Sequence, residues 1–258
     1  MKYLAVFLAW IISTEAEPDS PQRALQIGKQ WYDRRAEGAQ GLLADPEVID
    51  QAIASFEQAM KNESLEEEVG ILLLKCFFFK GEYALSSKKD KREAFLRGKN
   101  LGERLMLKYP RSAGIRYFYV TNIGSWAKTV NILKAARQGV ADVIRDNAKE
   151  IIKIDPNYDN GGGYFLLGMV HLEAPKIPFI LPWPSKKVAV ANLRRSVTMD
   201  PASVYPRVML AKALIETRRK EEAIAILEEL VQRKPRPDRL VEDSMDLEEA
   251  AQLLEKTK

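Results

Sequence analysis

Two residue types are almost missing, and their scarcity narrows the chemistry open to this chain before any pattern is read. One cysteine among 258 residues excludes a disulfide framework and a zinc ribbon. One histidine excludes any metal or triad site that needs two imidazoles from the same chain. A dominant charge is lacking too: 40 basic against 36 acidic residues leave a formal +4, with no polybasic patch of the kind that tracks a phosphate backbone. No nucleic-acid partner, metal or cofactor is expected. What is present is a hydrophobic content of 46%, enough to build a core.

The first residues read as an address. Met1 and Lys2 give a basic start, Tyr3 to Ile12 form an unbroken apolar run of ten, and Thr14-Glu15-Ala16 places small residues where a signal peptidase reads. The run falls short of the roughly 20 residues that cross a bilayer as a helix, so no stable span is expected. Cleavage after Ala16 would leave residues 17–258 as a single domain, periplasmic or secreted and soluble; an uncleaved amphipathic anchor is the alternative. Lone Cys76 lies far downstream, so nothing near the cleavage point accepts a lipid.

From residue 18 onward apolar residues recur at three and four positions, as in Ala52, Ile53, Phe56, Ala59 and Met60, which predicts an all-α chain. About ten helices and a last one from Asp246 fit between the proline-bearing turns. Pro110, Pro156, Pro201 and Pro235 mark helix ends, and their separations of 46, 45 and 34 residues suggest repeats. Aligned on these stops, second helices carry Ala52, Gly98, Ile144, Ala189 and Ala223, followed four residues on by Phe56, Gly102, Ala148, Leu193 and Leu227. First helices align at Gly28, Leu74, Val120, Gly168 and Ala211. A small residue where two backbones approach, with a larger one filling the gap, is what antiparallel helix pairs need.

Few residues suggest chemistry. Asp155, Asn157 and Asp159 start like a calcium loop but lack the sixth-place glycine and the twelfth-place glutamate, so an inter-repeat turn is the better reading. Gly161-Gly162-Gly163 lacks the lysine of a P-loop and reads as a flexible turn. His171 and Cys76 sit among apolar neighbours and are expected to pack rather than react. The insertion 173–187 is harder to dismiss. It interleaves Pro175, Pro178, Pro182 and Pro184 with Ile177, Phe179, Ile180, Leu181 and Trp183, on the order of 600 Å² of apolar surface if left bare. It should fold back over the repeats or dock on a partner or lipid surface.

The aligned positions resemble tetratricopeptide repeats, with a small residue at the eighth place, alanine at the twentieth and proline at the thirty-second. The unit Ser203 to Pro235 matches best through Ala211, Leu214, Ala223, Leu227 and Pro235. The first three units depart, with 24 positions between the two small residues where the fifth has 12. Longer units, the run Tyr117 to Trp126, and Tyr164 to Gly168 before the proline-rich insertion are similar to the TatT-like components associated with TRAP transporters and to the regulator of microtubule dynamics group. Those transporter components are typically lipoproteins, and with no cysteine to lipidate near the cleavage point membrane attachment is not expected here.

The resemblance implies an α-solenoid of about five helix pairs plus a C-terminal capping helix, without enzymatic activity. It also places Lys29, Lys75, Thr121, Met169 and Lys212 on a concave groove, beside Tyr32, Phe78, Tyr117, Phe165 and Leu172. Such a row suits an acidic protein segment, or a small apolar carboxylate; equally, its lysines could be an ordinary solvated face. The transporter case implies a solute-binding protein as partner and a ligand near Trp126, Phe179 and Trp183.

Overall fold

The computed structural model describes residues 20–130, 135–136 and 138–258. The expected signal peptide lies outside them. Eleven α-helices occur among the described residues: α1 (Pro21–Asp33), α2 (Pro46–Ala59), α3 (Glu66–Phe79), α4 (Lys88–Lys108), α5 (Ala113–Thr129), α6 (Val140–Ile154), α7 (Gly162–Glu173), α8 (Lys186–Met199), α9 (Tyr205–Glu216), α10 (Lys220–Leu230) and α11 (Leu240–Thr257). A π-helical turn, Lys80–Ala84, prolongs α3.

The starts follow local chemistry. Ser20, Asp45, Ser87 and Ser112 cap α1, α2, α4 and α5, each accepting a backbone N–H from the first turn, and Pro21 and Pro46 sit where a missing N–H costs nothing. Helices α4, α6 and α8 stop just before Pro110, Pro156 and Pro201, as the proline reading expects. The last helix begins six residues earlier than Asp246. A short 3-10 turn, Pro237–Arg239, runs straight into it, so the prolines that look like a linker deliver the chain into a helix.

Consecutive helices pack as five pairs, α1/α2, α3/α4, α5/α6, α7/α8 and α9/α10, and α11 follows against α9 and α10. The small-to-large match inside pairs is physical. A Cβ on Gly28 would stand 2.5 Å from the Phe56 ring, and one on Gly168 would stand 2.7 Å from Leu193 Cγ. Nothing but glycine lets these helices approach so closely. First helices α3, α5, α7 and α9 touch in turn, which makes one continuous inner face.

The three-glycine segment is tighter than a flexible turn. Asp159, Asn160 and Gly161 take φ of 48°, 51° and 92°, three left-handed residues in succession. Gly162 and Gly163 then start α7 pressed against Tyr117 and Ile152. Asp155 accepts the Asn157 N–H at 2.9 Å, a turn rather than a metal loop. Among the described residues no group of three His, Cys, Asp or Glu could hold a metal, and no helix is long and apolar enough to cross a membrane.

Candidate functional site

The inner face does not stand open along its whole length, because α11 lies across it. Arg35, just past the end of α1, donates to Glu242 Oε1 through Nη2 at 2.8 Å and Nε at 3.1 Å. Their side chains are 8% and 3% exposed, so this is a buried ion pair joining the two ends of the repeat array. Arg35 also donates to the carbonyls of Tyr32 and Asp238. Its guanidinium lies 4.6 Å from the Tyr32 ring centre. Val241 is buried in the cluster that holds Tyr32, Phe79 and Tyr83, with Met245 packed beside it. At the far end Lys212 of α9 meets Glu249 at 2.5 Å.

Electrostatics along this seam vary. Arg236 forks onto Asp243 at 2.7 and 2.8 Å and adds its backbone N–H at 3.0 Å. Burial works against the Asp243 charge, yet these bonds outweigh it and hold the carboxyl below the usual range. Asp246, 7% exposed, has no such partner among the described residues. Burial, and then neighbouring Asp243, push its pKa up to about 8. Lys75 sits 4.8 Å from the Tyr32 ring. Burial, together with nearby Arg35 and Arg239, pulls its ammonium below the ordinary lysine value. Burial also raises the Tyr32, Tyr83 and Tyr205 hydroxyls. Two buried polar atoms of this seam, Arg239 Nε and Glu242 Oε2, have no hydrogen-bond partner among the described residues, although Arg239 Nε lies 3.9 Å from the Asp243 carboxylate.

Sequence-expected residues divide between this seam and other places. Tyr32, Lys75 and Lys212 line it, and Tyr117 lies within electrostatic reach of Arg239. Phe165 joins through Tyr205, ring centres 5.5 Å apart. Phe78 stands edge-on to Tyr83 at 6.1 Å. Met169 packs on the core of the last two units, and the Thr121 hydroxyl donates to the Tyr117 carbonyl at 2.7 Å. Lys29 is spent on a surface pair with Glu68 at 2.6 Å. Trp126 is buried with Phe95, Tyr119 and Val140. Arg35, Tyr83, Tyr205, Arg239, Glu242 and Asp246 were not among the expected residues. The one sequence signal for them is the spacing of Glu242, Asp246 and Glu249, which puts three acids on one face of a helix.

The insertion is anchored at its base and bare at its tip. Leu181 is buried with Ala141 and Val170, and Trp183 donates to Asp142 at 2.9 Å while Arg145 covers its ring at 4.5 Å. His171 packs edge-on to Trp183 at 4.9 Å and accepts the Ser185 N–H on Nδ1 at 3.2 Å, the structural role expected of it. Phe179 is fully exposed at a φ of 66°, an unusual conformation for a large side chain, and Ile180 is half exposed. A shallow cleft of about 630 Å³ beside the loop is lined by Lys176, Lys186, Lys187, Glu216 and Arg218.

Paired helices stacked around a shared inner face define an α-solenoid, and comparison with known proteins agrees. Residues 187–241 match the tetratricopeptide repeat family. The crystal structure of a thermophilic TPR protein from Thermus thermophilus is similar to this one with a TM-score of 0.62 at 16% identity, over 91% of this chain and 99% of that one. The fold is therefore that of a tetratricopeptide-repeat solenoid. No curated protein matches the sequence significantly.

Proposed function

We infer that this chain is an exported, non-enzymatic tetratricopeptide-repeat scaffold that binds a protein segment in its concave groove. The supporting observation is α11 itself: Tyr32 shares a buried cluster with Val241 of that helix, and Lys212 pairs with its Glu249 at 2.5 Å. A surface that receives one such helix has the shape and charge to receive another. Export is supported by Met1 to Ala16 and is tested by the mature N-terminus, expected at Glu17.

Native mass spectrometry of the protein purified from its own source should show a protein companion. Replacing Lys29, Lys75 and Lys212 by alanine should lose that companion with helicity unchanged. Full retention by the triple variant would contradict groove binding. A second reading, a TatT-like transporter accessory holding a small apolar carboxylate, draws support from Lys75: among the described residues no carboxylate forms an ion pair with it, and the Tyr32 ring lies beside it. A retained small acid in the same spectrum would favour that reading.

A further inference from the structure

Alternating helix directions sort the connections of the solenoid onto two edges. Gly70 and Gly81 of α3 and its π-helical turn abut Leu105 and Phe95 of α4, and Gly102 and Gly98 of α4 abut Tyr119 and Asn122 of α5, so neighbours run in opposite directions. Turns inside the pairs therefore share one edge, and they touch along it. Ala44 donates its N–H to the Tyr83 carbonyl at 2.8 Å, Arg92 donates to the Thr129 carbonyl at 2.8 Å, and Lys186 lies 3.8 Å from Glu216. The insertion 173–187 is part of this edge.

Its tip holds an apolar point in the open. Ile177 and Leu181 exchange both backbone bonds, at 2.9 and 2.7 Å, which closes Pro178-Phe179-Ile180 into a three-residue turn. Phe179 stands fully exposed in a left-handed conformation unfavourable for a large side chain, and buried Leu181 and the Trp183–Asp142 bond keep the base in place. Gln40 and Leu43 close a second such turn on the same edge, leaving Leu42 and Leu43 each 41% exposed. Lys176, Lys187 and Arg218 line the cleft beside the insertion, and Lys220 follows. All four are exposed, and among the described residues none forms an ion pair. Nearby acids are partly spent, Glu216 on Lys186 and Glu222 on Arg219, so Glu173 and Glu221 leave a cationic surplus.

We propose that this edge docks on an anionic lipid bilayer, with Phe179 and Ile180 entering the headgroup region while Lys176, Lys187, Arg218 and Lys220 lie among the lipid phosphates. Two side chains offer on the order of 300 Å², well below the roughly 800 Å² that each partner buries in a standard protein interface. A convex apolar point also needs a matching pocket on a protein, whereas a fluid bilayer closes around it. Exposed cations beside that point add attraction to anionic headgroups. Such docking is peripheral and reversible, needs neither a spanning helix nor a lipidated cysteine, and leaves the groove free.

The full chain is sedimented with phosphatidylglycerol vesicles and with phosphatidylcholine vesicles. Binding to phosphatidylglycerol should be at least about tenfold tighter and should weaken as salt rises. Phe179→Ser with Ile180→Ser should lose at least about tenfold on phosphatidylglycerol, and so should Lys176→Gln, Lys187→Gln and Lys220→Gln together. The apolar run Tyr3 to Ile12 is common to all these chains, so differences between them report the edge. An environment-sensitive dye on Ile180→Cys should shift to the blue on phosphatidylglycerol, while the same dye on Leu107→Cys, 87% exposed at the opposite edge, should not; buried Cys76 stays unlabelled. Equal binding by the natural chain and the two-serine variant, or a dye at 180 that stays in water, would overturn the proposal. A dye at 180 that responds to a companion protein and not to vesicles would overturn it too, assigning the tip to a protein interface.

Discussion

From Leu247 onward α11 covers the last repeat with apolar side chains, whereas from Leu240 to Asp246 the same helix buries Glu242, Asp243 and Asp246 in the inner face. The composition hardly changes between the halves. What changes is the surface opposite: α9 and α10 offer a hydrophobic strip, and the first two units offer arginine, lysine and tyrosine. Hydrophobic contact tolerates small errors of register, because it is non-directional. Charge does not, and the N-terminal half shows the cost in Asp246 and in two atoms without a hydrogen bond among the described residues, Glu242 Oε2 and Arg239 Nε, the latter 3.9 Å from Asp243.

Substitutions should separate the halves. The largest effect belongs to the cap: Ala250→Asp buries an unpaired charge at a fully buried position and should cost about 4 kcal/mol in urea unfolding, with loss of helix from the last unit. A cost below about 1 kcal/mol would erase the distinction between the halves. Glu242→Gln should cost less, about 2 kcal/mol, because only one of its oxygens is bonded. Replacing both Arg35 and Glu242 by apolar residues should recover most of that loss.

Asp246→Asn should act in the opposite direction. A carboxyl whose pKa is raised in the fold contributes stability below its unfolded value and loses it as pH rises through about 8. The groups around it are Glu82, Tyr83 and Tyr205 from the inner face, Arg239 just before α11, and Glu242, Asp243 and Glu249 on that helix. The natural protein should therefore weaken between pH 5 and pH 9, on the order of 1–2 kcal/mol after relaxation, and the asparagine variant should not. Paired thermal melts at the two pH values read this directly. Asp243 adds the reverse trend only in stronger acid, where its depressed carboxyl finally protonates. Smallest of all is Phe179→Ser with Ile180→Ser, expected within about 0.5 kcal/mol of the natural protein in the same unfolding assay, since neither side chain is buried.

The pairing of helices was legible in the sequence because it is local: prolines at 110, 156 and 201 stop helices, and Gly28 and Gly168 answer Phe56 and Leu193 within one unit. The row of Tyr32, Lys75 and Lys212 came from the resemblance to tetratricopeptide repeats, and Lys29 of the same row pairs instead with Glu68 at the surface. What covers that face did not, because Arg35 and Glu242 meet across 207 residues and no spacing rule links them. Nothing in the sequence marks the acids of α11 for burial, because acidic residues on a helix are mostly exposed. The start of α11 was missed for a related reason, since Pro235 and Pro237 are turn signals that here precede a helix directly. In the insertion, composition announced an apolar surface but could not say that Leu181 and Trp183 would be anchored and Phe179 left bare.

Hydrogen exchange along α11 in the full chain addresses the central claim most directly. If the charged half is held less firmly than the apolar half, amides from Met245 to Glu248 should exchange at least about tenfold faster than those from Ala251 to Leu254, and the gap should narrow in Asp246→Asn. Uniform protection along the helix, unchanged by that substitution, would mean that α11 is one rigid cap held equally along its length.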